Sequence, residues 1–387
     1  MTVPALMTAV VDRVDVAAAI AAPDWLCTLW FVLMCVLLAG YAILDGFDLG
    51  VGIIHFIVGR TDADRTAHVS VIGPIWDGNE VWLVTFGGAL FAGFPLAYAS
   101  IFSAFMVPLV LVLFCLILRA VSLEFRAKFG RPISRLVCDL AFSGSSLLAS
   151  LLFGVAVGAA MEGIPIDAAG ALVLPAPDGG TPGPLAEITF ALTPFSLATG
   201  VLAVTLFAVH GALFLNLRTD GRLRRRIGGV FMSLYIAFAL AFIGTTILAF
   251  ESAPVAVEQV GGRWWGMLVA ILNVLAILNL PRSIHHGRPV SAFVSSCCVV
   301  LALVFLFGAG IFPNLVKSTL DPGWDVTIFD AASSRGTMLT MLVVVSFGMP
   351  FVLLYTAITY WTFRGRVGGE GEDDGDRDTL AVVERRA

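Results

Sequence analysis

Long apolar runs constrain the fold of this sequence more than any other feature. Hydrophobic residues make up 58% of its 387 positions and charged residues only 13%, whereas soluble domains carry about 25% charged residues. Each run approaches the ~20 residues that an α-helix needs to cross a bilayer. The sequence therefore predicts an all-α polytopic membrane protein with about nine transmembrane helices. The runs lie near residues 25–58, 72–96, 98–118, 136–160, 189–217, 228–250, 264–281, 290–312 and 334–361.

Basic residues between the runs predict how the chain is oriented. Nineteen of the 23 Lys and Arg residues fall in one set of alternate loops and in the C-terminal segment, and four fall on the opposite side. Because cytoplasmic loops carry an excess of Lys and Arg, we expect an odd number of spans, an external N-terminus and a cytoplasmic C-terminus. The net charge of -5 gives no reason to expect a nucleic-acid partner.

The same pattern predicts a division of the chain into two four-helix units and one further helix. The loop without Lys or Arg and the acidic C-terminal segment are expected to lie outside the membrane. The predicted parts are an external N-terminal segment (1–24), the first four-helix unit (25–160), an external loop (161–188), the second four-helix unit (189–312), an external loop with the last helix (313–363), and a disordered cytoplasmic acidic tail (364–387).

Two carboxylates lie near the end of the first apolar run. Asp45 and Asp48 are three residues apart and therefore share a face of the predicted helix, and His55 lies seven residues further along nearly the same stripe. Charged side chains inside a span are costly and usually have a function. The first span thus carries a candidate site close to its cytoplasmic end.

A second acidic motif opens the next run. Asp77 and Glu80 are again three apart, with Trp76 and Asn79 beside them. Consecutive spans run antiparallel, so we expect this motif at the depth of Asp48. The spacing fits proton transfer, but it equally fits structural hydrogen bonding, and intramembrane carboxylates also suit a secondary transporter.

Other polar residues give weaker signals. His55 and His210 lie near the ends of spans, where each is able either to ligate haem iron or to form hydrogen bonds within the bundle. Glu124 is expected to pair with Arg119 or Arg126. The spacing of Cys and His indicates no zinc site, and we assign no metal ligand and no residue that touches substrate.

Three motifs together resemble subunit II of the cytochrome bd-type quinol oxidases. They are Asp45–Gly52, Trp76–Leu83 and Gly87–Ala92, and the similarity continues in order to Phe312–Pro313 and Leu353–Ala357. The block Trp-Asp-Gly-Asn-Glu-Val-Trp-Leu is the most specific of them. Two positions depart from some family members, which carry Gln where this chain has Glu80 and His210.

The resemblance implies a role in aerobic respiration. Such oxidases couple quinol oxidation to the reduction of O2 to water in the bacterial cytoplasmic (inner) membrane. Haems b and d are held by the larger subunit I, whereas subunit II is a haem-free partner that stabilises the complex. In some members it holds a structural quinone, and a small single-helix accessory subunit joins some complexes. Asp48 and Asp77, with Trp76 beside the latter, match the family's proposed residues for proton uptake from the cytoplasm, and we include Glu80 and Asp45 in that route.

Overall fold

A computed structural model describes residues 21–174, 186 and 189–368. Within these residues the chain is almost entirely helical. The first half contains α1 (Asp24–Ile53), α2 (His55–Val58), α3 (Asp62–Ile72), α4 (Trp76–Gly93), α5 (Pro95–Ala104), α6 (Met106–Arg126) and α7 (Pro132–Glu162). The second half contains α8 (Pro194–Arg218), α9 (Gly221–Ser252), α10 (Pro254–Gly261), α11 (Trp264–His285), α12 (Pro289–Ile311) and α13 (Arg335–Thr362).

Short strands connect some of these helices. A parallel pair joins β1 (Thr219–Asp220) to β4 (Val367–Gly368). An antiparallel pair joins β2 (Asn314–Val316) to β3 (Val326–Thr327), with a 3-10 turn between them at Pro322–Trp324.

Eight helices in the described part of the chain are long and apolar enough to cross a membrane: α1, α6, α7, α8, α9, α11, α12 and α13. Helix α4 is shorter, with 18 residues, or about 27 Å at 1.5 Å per residue. It nevertheless runs between the same two ends of the bundle, because Asn79 in its first turns bonds Asp48 while Gly93 accepts a hydrogen bond from Ser333. The prediction of an all-α polytopic protein with about nine spans is confirmed.

The third span begins later than the sequence indicated. The apolar run at 98–118 is divided between α5, which ends at Ala104, and α6, which begins at Met106. Pro108 explains the break, because proline has no N–H to bond the carbonyl four residues earlier and its ring clashes with that carbonyl. Since that carbonyl belongs to Ala104, one continuous helix is disfavoured and Pro108 takes a place in the first turn of α6.

Polar loops gather at two opposite ends of the bundle. At one of them, which we call the basic end, Arg226 of α9 lies 2.6 Å from Asp64 of α3, and β1 pairs with β4. At the other end, Ile164 bridges Ser318. The loops that the charge pattern places together are therefore neighbours, while the side of the membrane that each end faces stays a prediction.

The C-terminal segment differs at its start from the predicted tail. Residues 364–368 are ordered against the end of α8, because β4 pairs with β1 and Arg366 contacts Asp220 at 3.0 Å. Residues 1–20, residues 175–185 and 187–188 of the predicted loop at 161–188, and residues 369–387 lie outside the described residues. The division into two four-helix units stays a prediction, and α8 packs against α1 and α7 as well as against α9.

Helices α1 and α8 meet through glycines. A Cβ built on Gly46 would come within 2.8 Å of the Phe207 ring, one on Gly50 would overlap the Phe207 carbonyl, and one on Gly211 would overlap the backbone of Gly50. Small residues allow such backbone contact between membrane helices. The contact holds the C-terminal part of α1, which carries both acidic residues, in the centre of the bundle.

We expect Gly50→Ala to lower the stability of the protein, because the added methyl meets backbone that has no rotamer to change. Overpacking a core costs about 1–3 kcal/mol. The measurement is the thermal unfolding midpoint of the detergent-purified protein. Gly244→Ala is the matched control, since a Cβ there meets nothing within 4 Å and alanine favours a helix by up to ~1 kcal/mol. Equal midpoints for the two variants would contradict the proposed contact.

Candidate functional site

The first polar cluster joins α1, α4, α6 and α13 around Asp48. We call it the Asp48 cluster, and it consists of Asp45, Asp48, Asn79, Glu80, Arg119 and Tyr360. Asp45 and Asp48 are completely buried. Asn79 donates from Nδ2 to Asp48 Oδ2 at 2.7 Å and to the Leu44 carbonyl at 3.2 Å. Tyr360 donates its hydroxyl to Asn79 Oδ1 at 2.9 Å. Asp48 is thus bound by an amide rather than by a cation, and α13 completes its surroundings.

One guanidinium serves the other two carboxylates of the cluster. Arg119 Nη2 lies 2.7 Å from Asp45 Oδ1 and 3.1 Å from Glu80 Oε2. The contact with Asp45 has the distance of an ion pair but not the angle of a hydrogen bond, so both Asp45 oxygens lack a hydrogen-bond partner among the described residues. The cluster therefore contains three carboxyl groups and one cation. A buried excess of negative charge is costly in a membrane.

The second acidic motif is divided between the cluster and the surface. Glu80 turns inward to Arg119, whereas Asp77 is exposed on this chain and Trp76 beside it is buried. Residues three apart differ by about 60° around a helix, which at the edge of α4 is enough to place one inside and the other outside. The structure brings Asp45, Asp48, Asn79 and Glu80 together, and it leaves Asp77 apart from them.

His55 belongs to a second cluster. This Asp139 cluster consists of Asp139, His55, His68, Arg65 and Arg126. Arg65 Nε lies 2.8 Å from Asp139 Oδ2, and Arg126 contacts the other oxygen of the same carboxylate. His55 Nε2 lies 3.0 Å from Asp139 Oδ1. Helices α2, α3, α6 and α7 are joined at the basic end by this one buried carboxylate.

Hydrogen bonding fixes the tautomers of the two histidines in the Asp139 cluster. Because His55 Nε2 faces a carboxylate oxygen, we assign the proton to that nitrogen. His55 Nδ1 then accepts from His68 Nδ1, 3.3 Å away. This leaves His68 Nε2 as a buried lone pair that has no hydrogen-bond partner in the described part of the chain. Both ring nitrogens of His55 are used within the protein.

His210 is also fully engaged in hydrogen bonds. It lies completely buried on α8, with Nε2 2.9 Å from the Ile43 carbonyl and Nδ1 2.7 Å from Ser296 Oγ. Its ring stacks on Phe293 at a centroid distance of 5.1 Å. Of the two readings open for this residue, hydrogen bonding within the bundle is the one this geometry favours over haem ligation.

At the basic end, the surroundings shift the pKa values of two titratable groups that lie outside the spanning helices. Burial, with the neighbouring His55, lowers the pKa of His68 to about 3. Burial raises the pKa of Asp64, but hydrogen bonds from Arg226 and Thr61 outweigh it and hold that pKa below its usual value. His68 is therefore neutral and Asp64 ionised at neutral pH.

Sequence reasoning missed six residues of these clusters: Arg65, His68, Arg119, Arg126, Asp139 and Tyr360. The expected partner of Arg119 was wrong, since Glu124 is exposed and forms no ion pair among the described residues. Arg119 and Asp139 carried a usable signal, because each is the charged residue nearest the middle of a long apolar helix. The pairing itself was not visible, because Asp45 and Asp139 are far in sequence from the groups that bind them.

The family of the chain follows from its sequence similarity over almost its whole length. The family model described as cytochrome bd terminal oxidase subunit II matches residues 26–363. This chain belongs to that family. Its members are subunits of respiratory oxidoreductases, which agrees with the multi-pass architecture described above.

Individual subunit II relatives match nearly end to end. "Cytochrome bd-I ubiquinol oxidase subunit 2" of Escherichia coli (strain K12) is 32% identical over 384 residues, which cover 92% of this chain and 97% of the relative. "Cytochrome bd ubiquinol oxidase subunit 2" of Bacillus subtilis (strain 168) is 30% identical over 346 residues, which cover 88% and 96%. Subunit II of such an oxidase implies a subunit I partner.

A solved structure supports the fold. The bd oxidase of Geobacillus thermodenitrificans contains a chain that superposes on this one with a TM-score of 0.69, covering 87% of this chain and 99% of that chain. The sequence identity is 18%, so the likeness speaks for the shared fold alone.

We expect the stability of this protein to fall as the pH is lowered, partly because of His68. Its folded pKa lies below the unfolded value of about 6.5, so the unfolded state binds more protons between pH 6.5 and about 3. Stability is therefore lost as the pH falls through that window. His68→Met should reduce this loss. The measurement is the decrease in the thermal unfolding midpoint between neutral and acid pH, taken at several pH values.

The exposed His286 provides the control for that measurement. His286→Met should retain the acid sensitivity of the unchanged protein. If His68→Met and the unchanged protein lose the same stability between neutral and acid pH, the buried neutral His68 is not responsible.

Proposed function

We propose that this chain is the haem-free second subunit of a quinol oxidase that reduces O2 to water. In the proposed complex it stabilises the assembly and provides a route by which protons reach the reaction from the cytoplasm. The observation that carries the proton route is the buried Asp48, which has an amide partner and, among the described residues, no cationic side chain within 4.0 Å. A carboxyl group held in this way is able to exist with and without its proton while keeping one hydrogen bond.

The charge pattern supports the direction of the route. With the basic end in the cytoplasm, as the positive-inside rule favours, the N-terminus is external and the C-terminus cytoplasmic. Asp48 lies five residues before the end of α1 at Ile53, which is about 7.5 Å along the helix axis. Protons are therefore proposed to enter along α4, past the exposed Asp77 and the partly exposed Glu80, and to reach Asp48 and Asp45.

The surface of the chain supports a large apolar interface with subunit I. Helix α13 has one buried residue, Met338, along its 28 residues. Phe347 and Phe351 on the same helix are more than 70% exposed. An apolar surface of this kind faces either lipid or another membrane subunit. The haems b and d are proposed to lie in that partner subunit, and we propose no residue of this chain as a haem ligand. Membership of the oxidase family favours this reading over a secondary transporter.

We expect Asp48→Asn to lower the rate of O2 reduction by the assembled oxidase at least about tenfold, because the amide has no proton to exchange and proton transfer contributes factors of this size or larger. The measurement is O2 consumption at saturating quinol, normalised to haem d absorbance. Normalisation to haem separates slow turnover from loss of assembly.

Asp24→Asn is the matched control for this variant. It makes the same change on the same helix, at an exposed position of the opposite end, and should leave the rate unchanged. Asp77→Asn tests the proposed outer part of the route. Unchanged turnover in both Asp48→Asn and Asp77→Asn, with normal haem content, would mean that this subunit is a scaffold without a role in proton uptake.

The assignment to an oxidase makes a separate prediction about isolation. We expect the affinity-tagged chain to purify from its native membrane with a larger multi-span protein, and the preparation to show the red absorbance of haem d. A colourless preparation of the chain alone, able to move a solute across liposome membranes, would instead identify a transporter.

A further inference from the structure

A cavity of about 430 Å³ opens at the basic end, and its lining shares no residue with either polar cluster. It lies between the start of α9 and the loop that joins α11 to α12. This volume is within the usual range of about 300–1,000 Å³ for small-molecule sites. Its lining residues are Asn216, Asp220, Gly221, Arg224, Arg225, Gly228, Ile284, Gly287, Arg288 and Pro289.

The lining carries an excess of positive charge. Arg225 and Arg288 have no carboxylate within 4.0 Å among the described residues, and Arg224 has only a 3.5 Å contact with Asp220. Asp220, the single carboxylate of the lining, is also bound by Arg366 at 3.0 Å. With its own negative charge compensated, the cavity presents guanidinium groups that match the geometry of a phosphate.

The backbone around the cavity allows a ligand to approach it closely. Gly221 and Gly287 have φ values of +62° and +65°, which favour glycine over other residues. Helices α9 and α12 begin beside the cavity without a side-chain cap, so their first N–H groups add positive potential. A Cβ on Gly228 would meet nothing within 4 Å, so this position offers open space rather than protein contact.

The position of the cavity relative to the bilayer indicates which phosphate-bearing molecule it would bind. Helix α12 has 23 residues and is therefore about 34 Å long, close to the ~30 Å thickness of the hydrocarbon core. Its first turn then lies at the level of the lipid headgroups. We propose that this cavity is a binding site for the phosphate-bearing headgroup of an anionic phospholipid, with Arg224, Arg225 and Arg288 as its ligands.

The acidic C-terminal segment of the chain is the competing occupant. Residues 370–376 contain five carboxylates, and the described chain reaches Gly368 beside Asp220. The lining favours the lipid, because Ile284 and Pro289 offer apolar contact to the glycerol and the upper acyl chains, which a run of carboxylates does not use. The site lies outside the Asp48 cluster, so it does not depend on the proposed proton route.

The experiment compares lipid retention by the intact oxidase complex. The complex is reconstituted in nanodiscs of equal phosphatidylglycerol and phosphatidylcholine, extracted gently, and analysed by native mass spectrometry. We expect retained phosphatidylglycerol to be enriched over phosphatidylcholine. Arg225→Gln with Arg288→Gln should reduce that enrichment by about 25-fold, since each arginine at a bilayer surface contributes a factor of about five. Gly228→Leu should reduce it by filling the cavity.

Arg222→Gln is the matched control, because Arg222 is an exposed arginine of the same helix that does not line the cavity, and it should retain the enrichment. Equal enrichment in the double arginine variant or in Gly228→Leu would overturn the proposal. Displacement of the lipid by millimolar inorganic phosphate would overturn it in favour of a soluble anion. Enrichment that appears only after truncation at Gly368 would overturn it in favour of the acidic segment.

Discussion

The backbone contact between α1 and α8 is the constraint on which the arrangement of the polar residues depends. Gly50 and Gly211 permit an approach that no other residue allows, because a Cβ at either position would overlap the opposite backbone. The contact fixes the rotation of α1 and therefore the direction of Asp45 and Asp48, which lie within five residues of Gly50. Phe47, between the two carboxylates, stacks on Phe214 of α8 at 3.9 Å. Packing of apolar and glycine surfaces thus determines where the buried charges are placed.

The two polar clusters compensate their charges in different ways. Asp139 is contacted by Arg65 and Arg126 as well as by His55, so its negative charge is more than balanced and its oxygens are fully used. Asp48 has one amide partner, and its second oxygen has no hydrogen-bond partner in the described chain. Removing one partner from a buried ion pair is strongly destabilising, which suits Asp139 to a structural role. An incompletely satisfied carboxyl group suits a site that exchanges protons.

The class of fold and half of the candidate site were predictable from the sequence, and the reasons are physical. The sequence directly shows the length of the apolar runs, the charge asymmetry between loops and the spacing of Asp45 and Asp48. In a membrane, such local properties determine which segments span the bilayer and how they are oriented. The partners of these residues depend on tertiary packing. Arg119 was assigned to the nearby Glu124, but the helix direction takes it to Asp45 instead. The three-residue spacing of Asp77 and Glu80 did not place both side chains in the same environment. They lie at the edge of the buried side of α4, where a rotation of about 60° separates the interior from the surface.

The separation of the clusters also constrains the proposed proton route. His55 lies seven residues after Asp48, or about 10 Å along the axis of a helix, and the intervening Val51 and Ile54 are completely buried apolar residues. No hydrogen-bonded residue of the described chain bridges this interval, since His55 is directed to Asp139 and His68. We infer that a route to Asp48 from the basic end follows α4 rather than α3. The Asp139 cluster then lies beside that route, and its ion pairs hold α2, α3, α6 and α7 together.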